Sequence, residues 1–80
     1  RYEMQVGDAV VFADVKREGN ILHIRYVEAP ESLRGTGAAG RFMEGLMQVV
    51  KAEGLQVIPF CGYAASWLNR KPEYKTLIAP

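Results

Sequence analysis

The sequence contains a single cysteine, Cys61, and a single histidine, His23, among its 80 residues. One cysteine excludes an internal disulfide. Without a Cys-x-x-Cys pair or a cysteine-histidine cluster, we expect no metal site. A protein that uses no disulfides fits a reducing compartment, so we expect a cytoplasmic protein.

Long apolar runs and an excess of one charge are also absent. No stretch approaches the roughly 18 consecutive apolar residues of a transmembrane helix, and no signal peptide is visible. Ten Lys and Arg against nine Asp and Glu give a net charge of +1. Proteins that bind nucleic acid or a membrane surface usually concentrate a basic face, so we expect neither partner.

The composition that remains is that of an ordinary globular domain. Hydrophobic residues make up 49% of the chain and charged residues 24%. The length suffices for one domain and is too short for two. We expect residues 1–80 to form that single domain, as a monomer or weak dimer.

The first third of the chain has the pattern of β-strands. Residues 2–6 alternate weakly, as in a short edge strand, and residues 8–16 are rich in β-branched and aromatic side chains. A hairpin signal at residues 18–20 leads to an alternating segment, 20–28. We predict an antiparallel meander. On the last of these strands, one face is predicted to carry Leu22, Ile24 and Tyr26.

The second half alternates between helix and strand. Apolar residues at helical spacing predict a helix over 37–53, and Gly54 suits its C-terminal end. Residues 55–58 predict a short strand and 61–70 a second helix, before an irregular tail. Strand, helix and strand in this order imply a right-handed crossover and a parallel pair. The fold class is therefore α+β: a mixed, mainly antiparallel sheet with a βαβ crossover and packed helices. The buried helix stripe is predicted to contain Ala39, Phe42, Met43, Leu46 and Val50.

The glycine-rich segment 34–40 suits an anion. Gly35, Gly37 and Gly40 lack side chains, so a ligand can approach the backbone closely. The first turn of a helix offers unpaired N–H groups and the positive end of its dipole, which favour a phosphate. Arg34 adds a permanently charged, planar partner. The alternative is that these glycines only form a tight turn between a strand and a helix.

Two nucleotide motifs have similar spacing and do not fit. Gly35-x-Gly37-x-x-Gly40 matches the dinucleotide fingerprint, but that motif directly follows a strand and requires a later acidic residue and a doubly wound sheet. A phosphate-binding P-loop requires Lys and Ser or Thr where this chain has Arg41 and Phe42.

A third motif fits. Arg34-x-x-Gly37-x-Ala39 resembles the acyl-coenzyme A pyrophosphate motif, Gln/Arg-x-x-Gly-x-Gly/Ala, of the GNAT superfamily of N-acetyltransferases. The order of strand, motif, long helix and parallel strand is similar as well. Over residues 8–78 the chain resembles a short single-domain subgroup of that superfamily. The segments that carry the resemblance are Val27–Pro30, Leu33–Gly37, Pro59–Cys61 and Asn69–Tyr74.

The resemblance implies a minimal GNAT-like acyl-CoA N-acyltransferase fold. It also implies transfer of an acetyl group from acetyl-CoA, as co-substrate and without a metal, to an unidentified amine: a small molecule, a lysine or an N-terminus. The pantetheine would pair with a strand end, and the pyrophosphate would lie on the loop amides. The end of the second helix would meet the coenzyme from the other side. The implied coenzyme-binding residues are Val27, Glu28, Ala29, Arg34, Gly35, Thr36, Gly37, Ala38, Ala39, Gly40, Asn69, Arg70 and Lys71.

Cys61 and Glu28 are the candidate catalytic residues. Cys61 would begin the second helix, where a thiolate is stabilised, and either carries the acetyl group or only lines the site. Glu28 would act as general base, directly or through water. Free cysteines are also common as small buried hydrophobic residues, and a glutamate at a strand end is often only solvated. The candidate proton donors to the departing thiolate are Tyr26, Tyr63 and Tyr74.

Two other functions stay open. The first is a coenzyme A-binding module without turnover, which the small size favours. The absence of a His-Thr pair that is common in the subgroup, here Tyr26-Val27, favours it too. The other departures, Gly62 in place of a proline and Lys71 in place of a histidine, bear on catalytic competence and substrate choice. The second is a structural α+β domain that binds no nucleotide.

Overall fold

The computed structural model describes all 80 residues and contains one four-stranded sheet in the order β1-β2-β3-β4. The β1–β2 and β2–β3 pairs are antiparallel, and β3 pairs with β4 in parallel. The mixed, mainly antiparallel α+β fold with its crossover is therefore confirmed. The strands are β1 (Tyr2–Val6), β2 (Ala9–Glu18), β3 (Ile21–Glu28) and β4 (Gln56–Pro59). The α-helices are α1 (Ala38–Ala52) and α2 (Gly62–Asn69), with short 3₁₀-helices at Glu31–Leu33 and Pro72–Leu77.

A bulge in β3 changes which face its side chains occupy. Asp14 pairs with Tyr26, but the next residue of β2, Val15, pairs with Ile24. Arg25 therefore has no partner in β2 and is the extra residue of a β-bulge. Such an insertion reverses the alternation of side chains beyond it.

The reversal corrects one prediction. Leu22 and Ile24 are buried, as expected, but Tyr26 is 47% exposed. Val27 instead packs against the core. The prediction that Tyr26 shares a face with Leu22 and Ile24 is wrong, because strict alternation assumes a strand without an extra residue.

Helix α1 covers one face of the sheet with a continuous apolar stripe. The strands contribute Val11, Ala13 and Val57 to the same core. Ala39 is only half-buried and Ala38 takes its place in the stripe, which differs from the prediction. The buried residues of α1 are Ala38, Phe42, Met43, Leu46, Met47 and Val50.

The C-terminal segment ties α2 to α1. Tyr74 is 5% exposed, and its ring stacks on Trp67 with centroids 5.9 Å apart. Its hydroxyl donates to Glu44 Oε2 at 2.7 Å and accepts from Gln48 Nε2 at 3.0 Å. Glu44 lies outside the apolar stripe that the sequence predicts for α1. The structure instead uses it as an acceptor for a buried tyrosine.

The tail was expected to be irregular, and it is ordered. After the 3₁₀-helix, Ile78 forms an isolated parallel bridge with Val57. The Ala79 N–H donates to the Val57 carbonyl oxygen at 2.8 Å. The tail thus continues the sheet beside β4.

No helix of the chain is both long and apolar enough to span a membrane.

Two glycines allow opposite predictions for stability. Gly45 lies inside α1, and a Cβ there would meet nothing within 4 Å. Gly54 follows α1 with φ +68°, a conformation that favours glycine. We expect Gly45→Ala to raise the free energy of unfolding by about 1 kcal/mol and Gly54→Ala to lower it by about 1 kcal/mol. Chemical denaturation measures both, and equal shifts of the two variants would contradict the helix boundaries.

The cluster around Glu44 predicts a pH dependence of stability. The Tyr74 hydroxyl, and then the Lys71 ammonium, lower the pKa of Glu44 against an opposing effect of burial. A carboxylate with a lowered folded pKa contributes stability above its unfolded pKa, about 4.3, and loses it as the pH falls through the folded value. Glu44→Gln should therefore destabilise the protein at about pH 7 and progressively less towards about pH 2. Denaturation across that range, with Tyr74→Phe as the matched variant, measures the effect. A difference from wild type that does not change with pH would rule it out.

Candidate functional site

The sheet opens between β3 and β4. Residues Ile21–Ile24 pair with Gln56–Pro59, and the Phe60 N–H donates to the Ile24 carbonyl oxygen at 2.9 Å. Beyond that bond the chain turns into α2, while β3 continues past its bulge to Glu28. The backbone of Val27 and Glu28 therefore has no strand on this side. The result is a gap between the end of β3 and the start of α2.

The glycine loop bends the chain from β3 into α1. Gly35 and Gly37 have φ values of +80° and +81°, which residues with a Cβ rarely adopt. The Thr36 hydroxyl donates to the Leu33 carbonyl oxygen and accepts from the Ala38 N–H at 3.3 Å. These bonds stabilise the conformation of the loop.

The mouth of α1 presents free backbone donors. No protein acceptor pairs with the N–H groups of Gly35, Gly37, Ala39 or Gly40, whereas that of Arg41 reaches the Gly37 carbonyl oxygen at 3.1 Å. They lie at the positive end of a 15-residue helix. Together these donors make a site for an anion with several oxygens, such as a diphosphate.

A cleft of about 330 Å³ joins this helix mouth to the gap in the sheet. Five of its six lining residues were among the predicted coenzyme-binding residues. The sixth, Tyr63, was predicted only as one of three possible proton donors. The lining residues are Val27, Glu28, Ala29, Arg34, Ala39 and Tyr63.

Tyr63 brings a proton donor to the cleft from α2. Burial raises the pKa of its phenol, the Arg70 guanidinium opposes that rise, and Cys61 adds to it. The phenol is therefore protonated at neutral pH. Neither of the other tyrosines reaches the cleft: Tyr26 packs edge-on against a neighbouring phenylalanine and Tyr74 is bonded to Glu44.

Cys61 lies next to the cleft rather than in its lining. It is the N-cap residue of α2, and its half-buried side chain packs against the core. The lone histidine, His23, stacks on Phe60 with ring centroids 5.6 Å apart, and its Nε2 lies 3.4 Å from Glu18 Oε1. The structure thus shows no cysteine-histidine pair. No three His, Cys, Asp or Glu side chains gather in a way that would hold a metal ion.

The end of α2 is separate from the cleft lining. Asn69 and Arg70 are exposed. The Lys71 ammonium lies 3.3 Å from Glu44 Oε1 and 5.3 Å from the ring centroid of Trp67. A role for these three predicted residues in coenzyme binding stays a prediction.

A family model described as GCN5-related N-acetyl-transferase matches residues 1–77. The match spans the whole sheet, the glycine loop and both α-helices. A search among curated proteins gives no significant match.

Proposed function

Since the chain belongs to the GCN5-related N-acetyltransferase family, we propose that it transfers an acetyl group from acetyl-CoA to an amine. One observation carries this proposal: the free N–H groups at the mouth of α1 adjoin the cleft at the open end of β3. The family generally uses acetyl-CoA. In that coenzyme a diphosphate joins the nucleoside to the pantetheine arm, and the thioester lies at the far end of the arm. The site offers a place for each.

Backbone groups provide most of the proposed coenzyme contacts. The diphosphate lies on the N–H groups between Gly35 and Gly40, with the exposed Arg34 at the rim. The pantetheine arm pairs with residues 27–29 as an added strand, because the gap leaves this side of β3 without a partner. A backbone N–H near Val27 polarises the thioester carbonyl.

The proposed chemistry is direct transfer. The amine nitrogen attacks the thioester carbonyl carbon, a C–N bond forms and the C–S bond breaks. Glu28 takes the proton that the amine loses, directly or through water, and Tyr63 gives its phenolic proton to the departing thiolate. The raised pKa of Tyr63 suits this role, because the donor must hold its proton until the thiolate forms.

Cys61 lines the site in this proposal and does not carry the acetyl group. Its side chain packs against the core, and no histidine is seen beside it to take its proton. The alternative function is a coenzyme A-binding module without turnover. The solvent-exposed positions of Glu28 and Tyr63 favour that alternative, because nothing encloses them around an acceptor.

Ala39 permits a test of coenzyme binding. A glutamate at the second position of α1 interacts favourably with the helix dipole, so Ala39→Glu should fold at least as well as the wild type. The same carboxylate would repel a diphosphate at the helix mouth. We expect coenzyme A affinity to fall by about tenfold or more, measured by isothermal titration calorimetry. Ala39→Gln, whose side chain is isosteric with glutamate, separates the effect of charge from that of size. Equal coenzyme A affinities for the two variants would show that the diphosphate does not bind at the helix mouth.

Tyr63 permits a test of catalysis. Removing a general acid should lower kcat by about a hundredfold, so we expect that loss for Tyr63→Phe with little change in coenzyme A affinity. Tyr26→Phe removes the hydroxyl of a tyrosine that does not line the cleft and should leave kcat unchanged. Release of coenzyme A thiol in the presence of amines gives the rate.

Cys61→Ala, in the same assay, should retain turnover. Loss of turnover with intact coenzyme binding would make the thiol the nucleophile. A wild type that binds coenzyme A but releases no thiol beyond background with any amine would be a binding module.

A further inference from the structure

A second cavity lies on the face of the sheet that no helix covers. It has a volume of about 500 Å³ and is lined by Lys16, His23, Arg25 and Phe60. Lys16 pairs with His23 across β2 and β3, next to the pair formed by Val15, which packs against the core, and the buried Ile24. Since neighbouring residues of a strand point to opposite faces, Lys16 and His23 point away from the helices.

The cavity adjoins the point where β3 and β4 separate. Arg25 is the bulge residue, and the Phe60 N–H makes the last bond between the two strands. In the proposed function the thioester reaches this point from the cleft. The helices occupy the other face, so the helix-free face is the open approach for an acceptor. Glu28, the proposed base, pairs with Phe12 on that same face.

The polar groups of the cavity have unused hydrogen-bonding capacity. Arg25 Nε lies 3.4 Å from Asp14 Oδ2 without forming a hydrogen bond, and Lys16 Nζ lies 3.9 Å from Glu18 Oε1. His23 Nε2 shares that Glu18 oxygen at 3.4 Å. No side chain of the cavity donates a hydrogen bond to another protein group. Arg25 and Lys16 thus each have one carboxylate neighbour, but their remaining N–H groups bond to no protein atom. A carboxylate or a phosphate of a ligand can accept from these N–H groups.

The fourth side chain is apolar and unusually open. Phe60 is 65% exposed, and its ring lies nearly parallel to that of His23, at 7°. The stack forms a flat wall beside the two cations. A small molecule with an apolar stem and an anionic end would contact both parts of the cavity.

We propose that this cavity is the acceptor subsite, and that the acceptor is a small amine whose other end carries a carboxylate or a phosphate. The anionic end lies against Arg25 and Lys16, and the amine points to the gap between β3 and β4. This inference rests on the proposed function. It adds the chemical class of the acceptor, which the two cations and the aromatic wall of the cavity select.

Matched amines test the acceptor class. With saturating acetyl-CoA, 4-aminobutyrate is compared with butylamine, and phosphoethanolamine with ethanolamine, by thiol release. We expect the anionic member of at least one pair to have the higher kcat/KM, by about tenfold, and the pair that shows it identifies carboxylate or phosphate. Amide NMR spectra of the coenzyme A complex should show shifts at the cavity residues with that anionic amine and not with its neutral partner.

Two variants link the preference to the cavity. Arg25→Gln should remove most of the discrimination through a higher KM for the anionic amine, with coenzyme A affinity unchanged. Lys75→Gln removes an exposed charge from the C-terminal segment, which packs on the helix side, and should preserve the discrimination.

The outcomes separate this inference from the proposed function. Equal or faster turnover of the neutral amines, a preference that survives Arg25→Gln, or no turnover of these four amines by a protein that acetylates another amine would overturn the acceptor class alone. A protein that binds no coenzyme A, or that binds it and turns over no amine, would overturn the proposed function as well.

Discussion

The site depends on one feature of the sheet: β3 and β4 are hydrogen-bonded at one end and separate at the other. Pairing stops at the bond between Phe60 and Ile24, and the bulge at Arg25 begins there. A strand with an open side leaves backbone N–H and C=O groups that require another partner. Because β4 is the last strand of the sheet and its pairing with β3 ends here, the remaining part of β3 forms the sheet edge. This is the position at which an extended ligand can complete the sheet.

Contacts between the two helices connect the two sides of the opening. A Cβ on Gly40, at the start of α1, would lie 3.7 Å from Trp67 Nε1 of α2. Trp67 stacks in turn on Tyr74, whose hydroxyl bonds to Glu44 of α1. The mouth of α1 and the first turn of α2, which carries Tyr63, are therefore joined through one cluster. A domain this small has a limited core, so a ligand that bridges the opening adds directly to its stability.

Hydrophobic periodicity was sufficient to predict every strand and both α-helices to within about two residues, because each element buries one face. The loop was predictable for a different reason. Glycines close together indicate a tight turn or a close approach of the backbone to a ligand, and this signal is local in the sequence. The bulge was not predictable, because Leu22, Ile24 and Tyr26 continue an uninterrupted alternation in the sequence. The bonding of Glu44 to Tyr74 was also invisible, since it joins residues 30 positions apart. For the same reason, nothing in the sequence distinguished Tyr63 from the other two candidate proton donors.

The two sides of the opening offer a ligand different groups of the chain. On the cleft side the proposed coenzyme contacts are mostly backbone groups, which any sequence supplies once the loop and the bulge are in place. On the helix-free side the face of the sheet presents side chains, because the hydrogen-bonding groups of each strand lie in the plane of the sheet. An acceptor there meets side chains only, and few of them lie near the opening. In the proposed function, the fold of a short chain is therefore enough to form the coenzyme site, whereas the choice of acceptor rests on a few exposed side chains such as Arg25 and Lys16. A change at these positions alters the charge that an acceptor meets without disturbing the core, since both are exposed.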